Sequence, residues 1–350
     1  MLWPVAGWGE ATMAKRWMLV VAAAWCLVQT TTARAQWGLA GQDADPRYDP
    51  DVAGNAAAEV CANTPSIEIC ADYLLWWLRD PHLSMPITVP GALGIQGPVV
   101  GQDALSYAPF SGARVAARMW HDNTQTGSLE IAGLIVADRS TTDLTTVGGS
   151  TLLVSSTSRL WGGEANLIVD TLCGVELIGG FRYLDLSEHV DLTSNSVGST
   201  AQAISRFATR NQFYGGQIGA QAGYTWGVLT FGVRGKIAFG NLHQSVAVNG
   251  FTLNTISGVI RPGAGVLTGA ANIGRTKSDQ FSVLPEGEAR VGWMVASGVT
   301  LYVGYDFLFL SDAVRPGDQI AGNINFPAAV PFNTTSFWAQ GLNVGLELRY

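Results

Sequence analysis

The chain has 350 residues, of which only 13% are charged, and it carries 42 glycines and a formal net charge of −7. Soluble proteins average about 25% charged residues and about 7% glycine, so the composition leaves that class on both counts. The acidity argues against a general nucleic-acid surface. Beyond the N-terminal leader no apolar run of about 20 residues offers a membrane-crossing helix, which leaves half-apolar strands as the way through a membrane.

The leader reads as a secretory signal: Lys15 and Arg16 form its basic start, Trp17 to Val28 its apolar stretch, and Ala33-Arg34-Ala35 a small-x-small cleavage site. Met13 is an alternative initiator to Met1. Removing residues 1–35 takes away Lys15, Arg16, Arg34 and Glu10, leaving the exported chain more acidic. Residues 36–66 hold Asp43, Asp45, Asp49 and Asp51 among Ala, Gly and Pro. Their spacing lacks the Gly and closing Glu of a calcium loop, so they read as a periplasmic linker.

From Ile67 the pattern changes to period-2 alternation, which in a strand separates two faces. Glu68, Cys70, Asp72, Leu74 and Trp76 alternate with Ile67, Ile69, Ala71, Tyr73, Leu75 and Trp77. A Pro/Gly-rich loop covers 80–110. A second strand, Ala113 to Trp120, sets Arg114 and Arg118 against Val115, Ala117 and Met119; a third, Ser128 to Ala137, sets Glu130 against Leu129, Ile131 and Ile135. A Thr/Ser/Gly-rich loop, 138–157, precedes strand four, Arg159 to Asp170, and a four-residue link leads to strand five, Val175 to Leu186.

A polar loop over 188–205 leads to strand six, Arg210 to Tyr224, and the tight Thr225-Trp226-Gly227 turn leads to strand seven, Val228 to Val248. After the loop 249–279, strand eight (Phe281 to Val295) turns at Ala296-Ser297-Gly298 into strand nine, Val299 to Leu310. The loop 311–335 precedes the last strand, in which Leu342, Val344, Leu346, Leu348 and Tyr350 alternate with Asn343, Gly345, Glu347 and Arg349.

Ten strands joined by alternating long and short links put both ends of the barrel region beside the short turns. The expected fold is therefore all-β: a transmembrane antiparallel up-and-down barrel over 67–350, with short periplasmic turns and long extracellular loops. Aromatics on the apolar face fall into two expected girdles, with Tyr73, Tyr224, Trp293 and Tyr350 toward the turns and Trp161, Tyr183, Phe239, Phe309 and Trp338 toward the loops.

Tyr73-Leu74-Leu75-Trp76-Trp77-Leu78, Gly180-Phe181-Arg182-Tyr183-Leu184-Asp185-Leu186 and Thr209-Arg210-Asn211-Gln212-Phe213-Tyr214-Gly215-Gly216-Gln217 resemble blocks of the beta-barrel porin family seven. Arg315-Pro316-Gly317-Asp318-Gln319 and Phe337-Trp338-Ala339-Gln340-Gly341 resemble its later blocks, and the likeness spans about 68–350. It implies an outer-membrane barrel of Gram-negative type and carries no catalytic residue over. The closing Leu346, Leu348 and Tyr350 are similar to the terminal signal that the barrel assembly machinery reads.

On the other face stand Glu164, Glu176, Arg182, Gln217, Gln221, Arg234, Lys236, Glu286, Glu288, Arg290, Asp306, Glu347 and Arg349. As a channel lining they would tune passage of ions or small solutes; as paired charges they would close the lumen. Ten strands lie nearer the filled eight-stranded limit than the open 16-stranded channel, which favours closure or a narrow pore. Inward Gly180, Gly215, Gly219 and Gly223 would either leave room or relieve strain where a small barrel bends.

The expected function is a porin-like channel or structural membrane component, whose partners are outer-membrane lipid and the assembly machinery. The alternatives are a surface-binding protein using its long loops and a barrel hydrolase. For the latter the rim offers Asp185, Glu188, His189, Asp191, His243 and Asp312, with His189 between two carboxylates, but there is no nucleophile elbow or His-Glu-x-x-His motif. No cofactor is expected. No metal is expected either: Cys61, Cys70 and Cys173 show no paired Cys-x-x-Cys spacing and no nearby His, and Cys61 with Cys70 is the nearest pair for a disulfide.

Overall fold

A computed structural model describes residues 67–90, 96–120, 126–171, 174–320 and 330–350. The signal, the linker, Cys61 and Cys173 lie outside these, and Cys70 is a free thiol. Strands are β1 (Ile67–Leu78), β2 (Ile87–Pro90), β3 (Gln96–Val100), β4 (Phe110–Trp120), β5 (Gly127–Val147), β6 (Ser150–Asp170), β7 (Val175–Asn195), β8 (Ala201–Trp226), β9 (Leu229–Asn254), β10 (Ile260–Pro262), β11 (Gly274–Ala296), β12 (Val299–Val314) and β13 (Thr334–Arg349).

Ten of them close into an antiparallel barrel. Neighbours run β9, β11, β12, β13, β1, β4, β5, β6, β7, β8 and back to β9. The seam joins first strand to last: Tyr350 N–H donates to Ile67 O at 2.9 Å and Ile67 N–H to Tyr350 O at 3.2 Å. At the short-turn end, Gly227 and Gly298 take φ of 60° and 71°, a left-handed conformation that two-residue hairpin turns require and that glycine adopts without a Cβ penalty.

Register is oblique. Hydrogen-bonded partners traced from Glu68 run through Arg118, Glu130, Asn166, Gly180, Gln217 and Ala238 to Leu284, from the turn end of β1 to the loop half of β11. Such stagger is what tilts barrel strands about 35–45° from the axis.

The strands outrun their expected bounds at the long-loop end. β5, β6 and β7 have 21 residues each, and β8 and β9 have 26, where about 9–11 suffice to cross a bilayer. The expected loop 138–157 is mostly strand, interrupted only at Gly148-Gly149; 188–205 shrinks to residues 196–200; and 249–279 contains β10 and the start of β11. The loop 80–110 contains the β2–β3 hairpin, and 311–335 opens with the end of β12, past a bulge between Leu310 and Ala313. The cause is packing: Leu152, Val154, Val190, Leu192, Phe207, Val246 and Val248 of the overhanging wall point inward and bury against Leu83, Ile87, Val100 and Leu105 of the 79–109 segment. Sequence-local polarity is overridden by that tertiary burial.

Candidate functional site: the barrel interior

Alternation places every polar residue expected on the lumen face inside, and outside it puts Ile69, Val115, Ile131, Leu167, Phe181, Ile218, Val233, Val303 and Val344, all exposed at the lipid-facing wall. Of the expected girdles, Tyr224, Trp293 and Tyr350 project outward near the turns and Trp161 and Phe239 outward near the loops. Tyr73 differs: it sits midway along β1, opposite Val344, and its hydroxyl reaches Ser111 Oγ at 2.9 Å.

The turn-side half of the interior is a continuous network of charges. Lys236 Nζ lies 2.7 Å from Glu164 and 3.2 Å from Glu286, and Arg182 lies 2.6 Å from each of the same two carboxylates. Arg114 joins Asp72 (2.6 Å), Glu288 (3.1 Å) and Asp306 (3.4 Å). Arg234 pairs with Glu130 at 2.6 Å and donates to Gln221, which with Arg118 holds Glu176. Asp306 also accepts from Asn343 at 2.9 Å and from the Trp76 indole at 3.2 Å. Gln217 donates to Glu164 and Asn166. Nearest the turns, Arg290 and Arg349 bind Glu347, and Arg349 binds Glu68.

Exposure falls along this column, from 49% for the Arg349 side chain through 33% for Arg290 to 3% for Lys236 and 2% for Arg182. The interior is therefore a cup, wet at the turn end and dry within. Inward glycines do not widen it: a Cβ at Gly180 would overlap the Ala165 carbonyl, at Gly215 the Phe239 carbonyl and at Gly219 the Gly235 carbonyl. These three let adjacent strands approach closely and leave no room, whereas at Gly223 a Cβ would meet the Phe231 carbonyl only at 3.7 Å, an ordinary contact.

Above the charges lies an apolar layer that the sequence reading missed. Leu74, Trp76, Phe110, Val136, Leu160, Leu184, Phe213, Leu284, Leu308 and Phe337 bury together across the lumen. All are wall residues, and several are the chain neighbours of outward aromatics: Leu160 of Trp161, Leu184 of Tyr183, Phe213 of Tyr214, Leu308 of Phe309, Phe337 of Trp338. The signal was present as apolar residues on the polar parity at the loop end of each strand.

Beyond this layer residues 79–90, 97–109 and 312–320 fill the overhanging wall. Arg315 fastens them: it donates to Glu188 Oε1 at 2.8 Å and Oε2 at 3.0 Å, and to the carbonyls of Asp80 (2.8 Å) and Arg79 (2.9 Å). Burial works against its charge, but Glu188 outweighs that and holds the guanidinium above its ordinary range. Glu188 thus faces inward while His189 and Asp191 face out, the latter two 3.8 Å apart with Asp191 paired to Arg206. The constellation around His189 is split across two faces of one strand, for the same period-2 reason that organises the rest. Asp185 pairs with Arg210, and His243 with Asp279 at 3.0 Å, on the outer face.

The family described as Putative beta barrel porin-7 matches residues 92–350. Among solved structures, the outer membrane protease OmpT from Escherichia coli is 8% identical, with 82% of this chain and 98% of that chain covered and a TM-score of 0.44. The translocator domain of the autotransporter NalP from Neisseria meningitidis is 11% identical, with coverage of 88% and 100% and a TM-score of 0.37. The TodX deltaS2S3 mutant monoaromatic hydrocarbon channel is 7% identical, with coverage of 83% and 91% and a TM-score of 0.35. No curated protein matches the sequence significantly. Likenesses this remote carry no functional conclusion.

Proposed function

The chain belongs to the beta barrel porin-7 family of outer-membrane barrels, and we propose that it works in that membrane as a sealed barrel, a structural component rather than an open pore. The observation that supports this is the apolar layer, because its side chains, Tyr107 of the inserted segment apart, belong to the wall strands themselves. A plug made of a loop can swing aside; a layer built from ten strands opens only if the barrel deforms. Charged groups beneath it are paired across the lumen rather than arranged in a ring of one sign, which is what ion selectivity in a conducting pore would use. On this reading the long-loop end faces the exterior, Leu346, Leu348 and Tyr350 serve assembly, and the rim acids hold structure rather than carry out catalysis.

Efflux of a small dye from liposomes holding the refolded protein tests the reading. Efflux no faster than from protein-free liposomes is expected; rapid size-limited efflux would contradict it.

The overhanging wall favours a second reading, attachment to an external partner. Ile256, Leu144 and Ile260 are 81%, 64% and 59% exposed there, and apolar side chains held so far beyond the membrane suit a binding surface.

A further inference from the structure

On β9, Asn241, His243 and Ser245 follow one another at every second residue and project from the same outward face, each half-buried. On the neighbouring strand β11, Asp279 is the register partner of His243, and Lys277 that of Ser245. Two adjacent strands thus bring an imidazole, a hydroxyl, a carboxylate and an ammonium into one small patch.

Hydrogen bonds order the patch. Asn241 Nδ2 donates to the Tyr214 hydroxyl at 2.6 Å and to Asp279 Oδ1 at 2.8 Å, and the same carboxylate oxygen lies 3.0 Å from His243 Nδ1. A carboxylate at Nδ1 selects the tautomer with its proton there and leaves the lone pair on Nε2, the arrangement a serine nucleophile needs of its base. Neither His243 Nε2 nor Ser245 Oγ has a hydrogen-bond partner among the described residues. Same-face neighbours on a strand are about 6.5 Å apart along the chain, a gap that an imidazole and a hydroxymethyl group together can close.

The patch borders the membrane. Phe281, two residues from Asp279 toward the turns, and Phe239, four residues from His243 in the same sense, are exposed on the lipid-facing wall. At about 3.3 Å per residue on strands tilted about 40°, Asp279 stands about 5 Å and His243 about 10 Å beyond these rings. Girdle aromatics mark the headgroup level, so the hydroxyl looks onto the region where lipid chains are joined to their heads.

We propose that this patch hydrolyses carboxylic esters of membrane lipids, with Ser245 as nucleophile, His243 as general base and Asp279 as the residue that positions it. Ser245 Oγ bonds to the ester carbonyl carbon as its proton passes to His243 Nε2. The carbon–alkoxy bond then breaks, and the same proton goes to the departing alkoxide, which leaves as the alcohol. Water attacks the acyl-serine, giving one proton to Nε2; the carbon–Oγ bond breaks, Oγ recovers the proton, and the fatty acid departs. Lys277, on the strand beside Ser245, supplies positive charge for the developing oxyanion, and the Phe281 and Phe239 rings lie where the acyl chain runs. The sealed lumen takes no part, and Asp185 and Glu188, which hold structure through their arginines, are not among these groups.

The test uses the full chain refolded in vesicles of ether-linked phosphatidylcholine, which contain no ester of their own. Its substrates are p-nitrophenyl octanoate, which enters the bilayer, and p-nitrophenyl acetate, which stays in water. The wild type should hydrolyse the octanoate well above protein-free vesicles and faster than the acetate. Ser245→Ala should abolish turnover, and His243→Ala should lower kcat by about 10²–10⁴-fold, the usual contribution of a general base. Asp279→Asn should lower kcat with KM unchanged, whereas Ser155→Ala, elsewhere on the outer face, should behave as the wild type. A fluorophosphonate should label Ser245 in the wild type, as located by mass spectrometry of the digest. An unchanged far-UV β signal shows that each variant is folded. No octanoate hydrolysis by the wild type, hydrolysis that survives Ser245→Ala, or a label on another residue would each overturn the proposal, and faster hydrolysis of the acetate would overturn the assignment to lipid.

Discussion

The ammonium of Lys236 on β9 lies 2.7 Å from Glu164 on β6, with two strands of wall between them. A pair that spans such a chord occupies the lumen, and both side chains are nearly inaccessible to water. Buried pairs of this kind contribute little net stability, but breaking one leaves a charge with nowhere to go. Lys236→Glu, which sets a third carboxylate beside Glu164 and Glu286, is expected to destabilise the refolded barrel by about 3–5 kcal/mol. Arg349→Glu, at the exposed mouth, should cost about 1 kcal/mol or less. Urea midpoints of the two variants measure the difference, and equal midpoints would mean that the cup is wet throughout.

The outer wall makes a second prediction. Val303 and Val233 face lipid near mid-strand, where an introduced Arg costs about 2–4 kcal/mol. Gln217→Arg, although on the lumen face, is also costly, because Gln217 is buried and donates to Glu164 and Asn166. It should lower the midpoint as much as Val303→Arg does; a silent Gln217→Arg would contradict the tight network.

Arg315 separates the two barriers. Arg315→Met strands Glu188 and two carbonyls, so the 79–110 segment should become cleavable by protease added at the long-loop end. Replacing both partners, Arg315→Met with Glu188→Leu, should restore protection, since removing a buried pair whole is far milder than halving it. Neither change should open the barrel to ions, because the apolar layer below belongs to the wall. Cleavage that is identical in wild type and Arg315→Met would show that the segment is held by other contacts.

Strands were legible wherever apolar and polar residues contrast strongly, as from Phe281 to Val295. They were illegible from Thr141 to Val147, where Thr and Asp on one parity face Thr, Leu144 and Thr on the other, with no apolar face to mark a strand. The extension of β7 did have a signal: Leu184, Leu186, Val190 and Leu192 keep period 2 straight through a stretch dominated by Ser, Asp and Thr. Followed to its end, that period also separates Glu188 from His189. The charge pairs could not be read, because which Glu meets which Arg depends on the stagger of strands around the barrel. Phe213 and Phe337 show a different limit: each stands on the right face, but only closure brings them together.

Ionic current through the refolded wild-type chain in a planar bilayer, beside the double variant Phe213→Ala, Phe337→Ala, tests the sealed interior most directly. Loss of two buried phenyl rings, each a removal of about 3–5 kcal/mol in a packed core, should breach the apolar layer while the strands remain paired. A sealed interior gives no unitary current from the wild type at any applied voltage and discrete conductance steps from the variant. Stable conductance steps from the wild type, unchanged by the two substitutions, would contradict it.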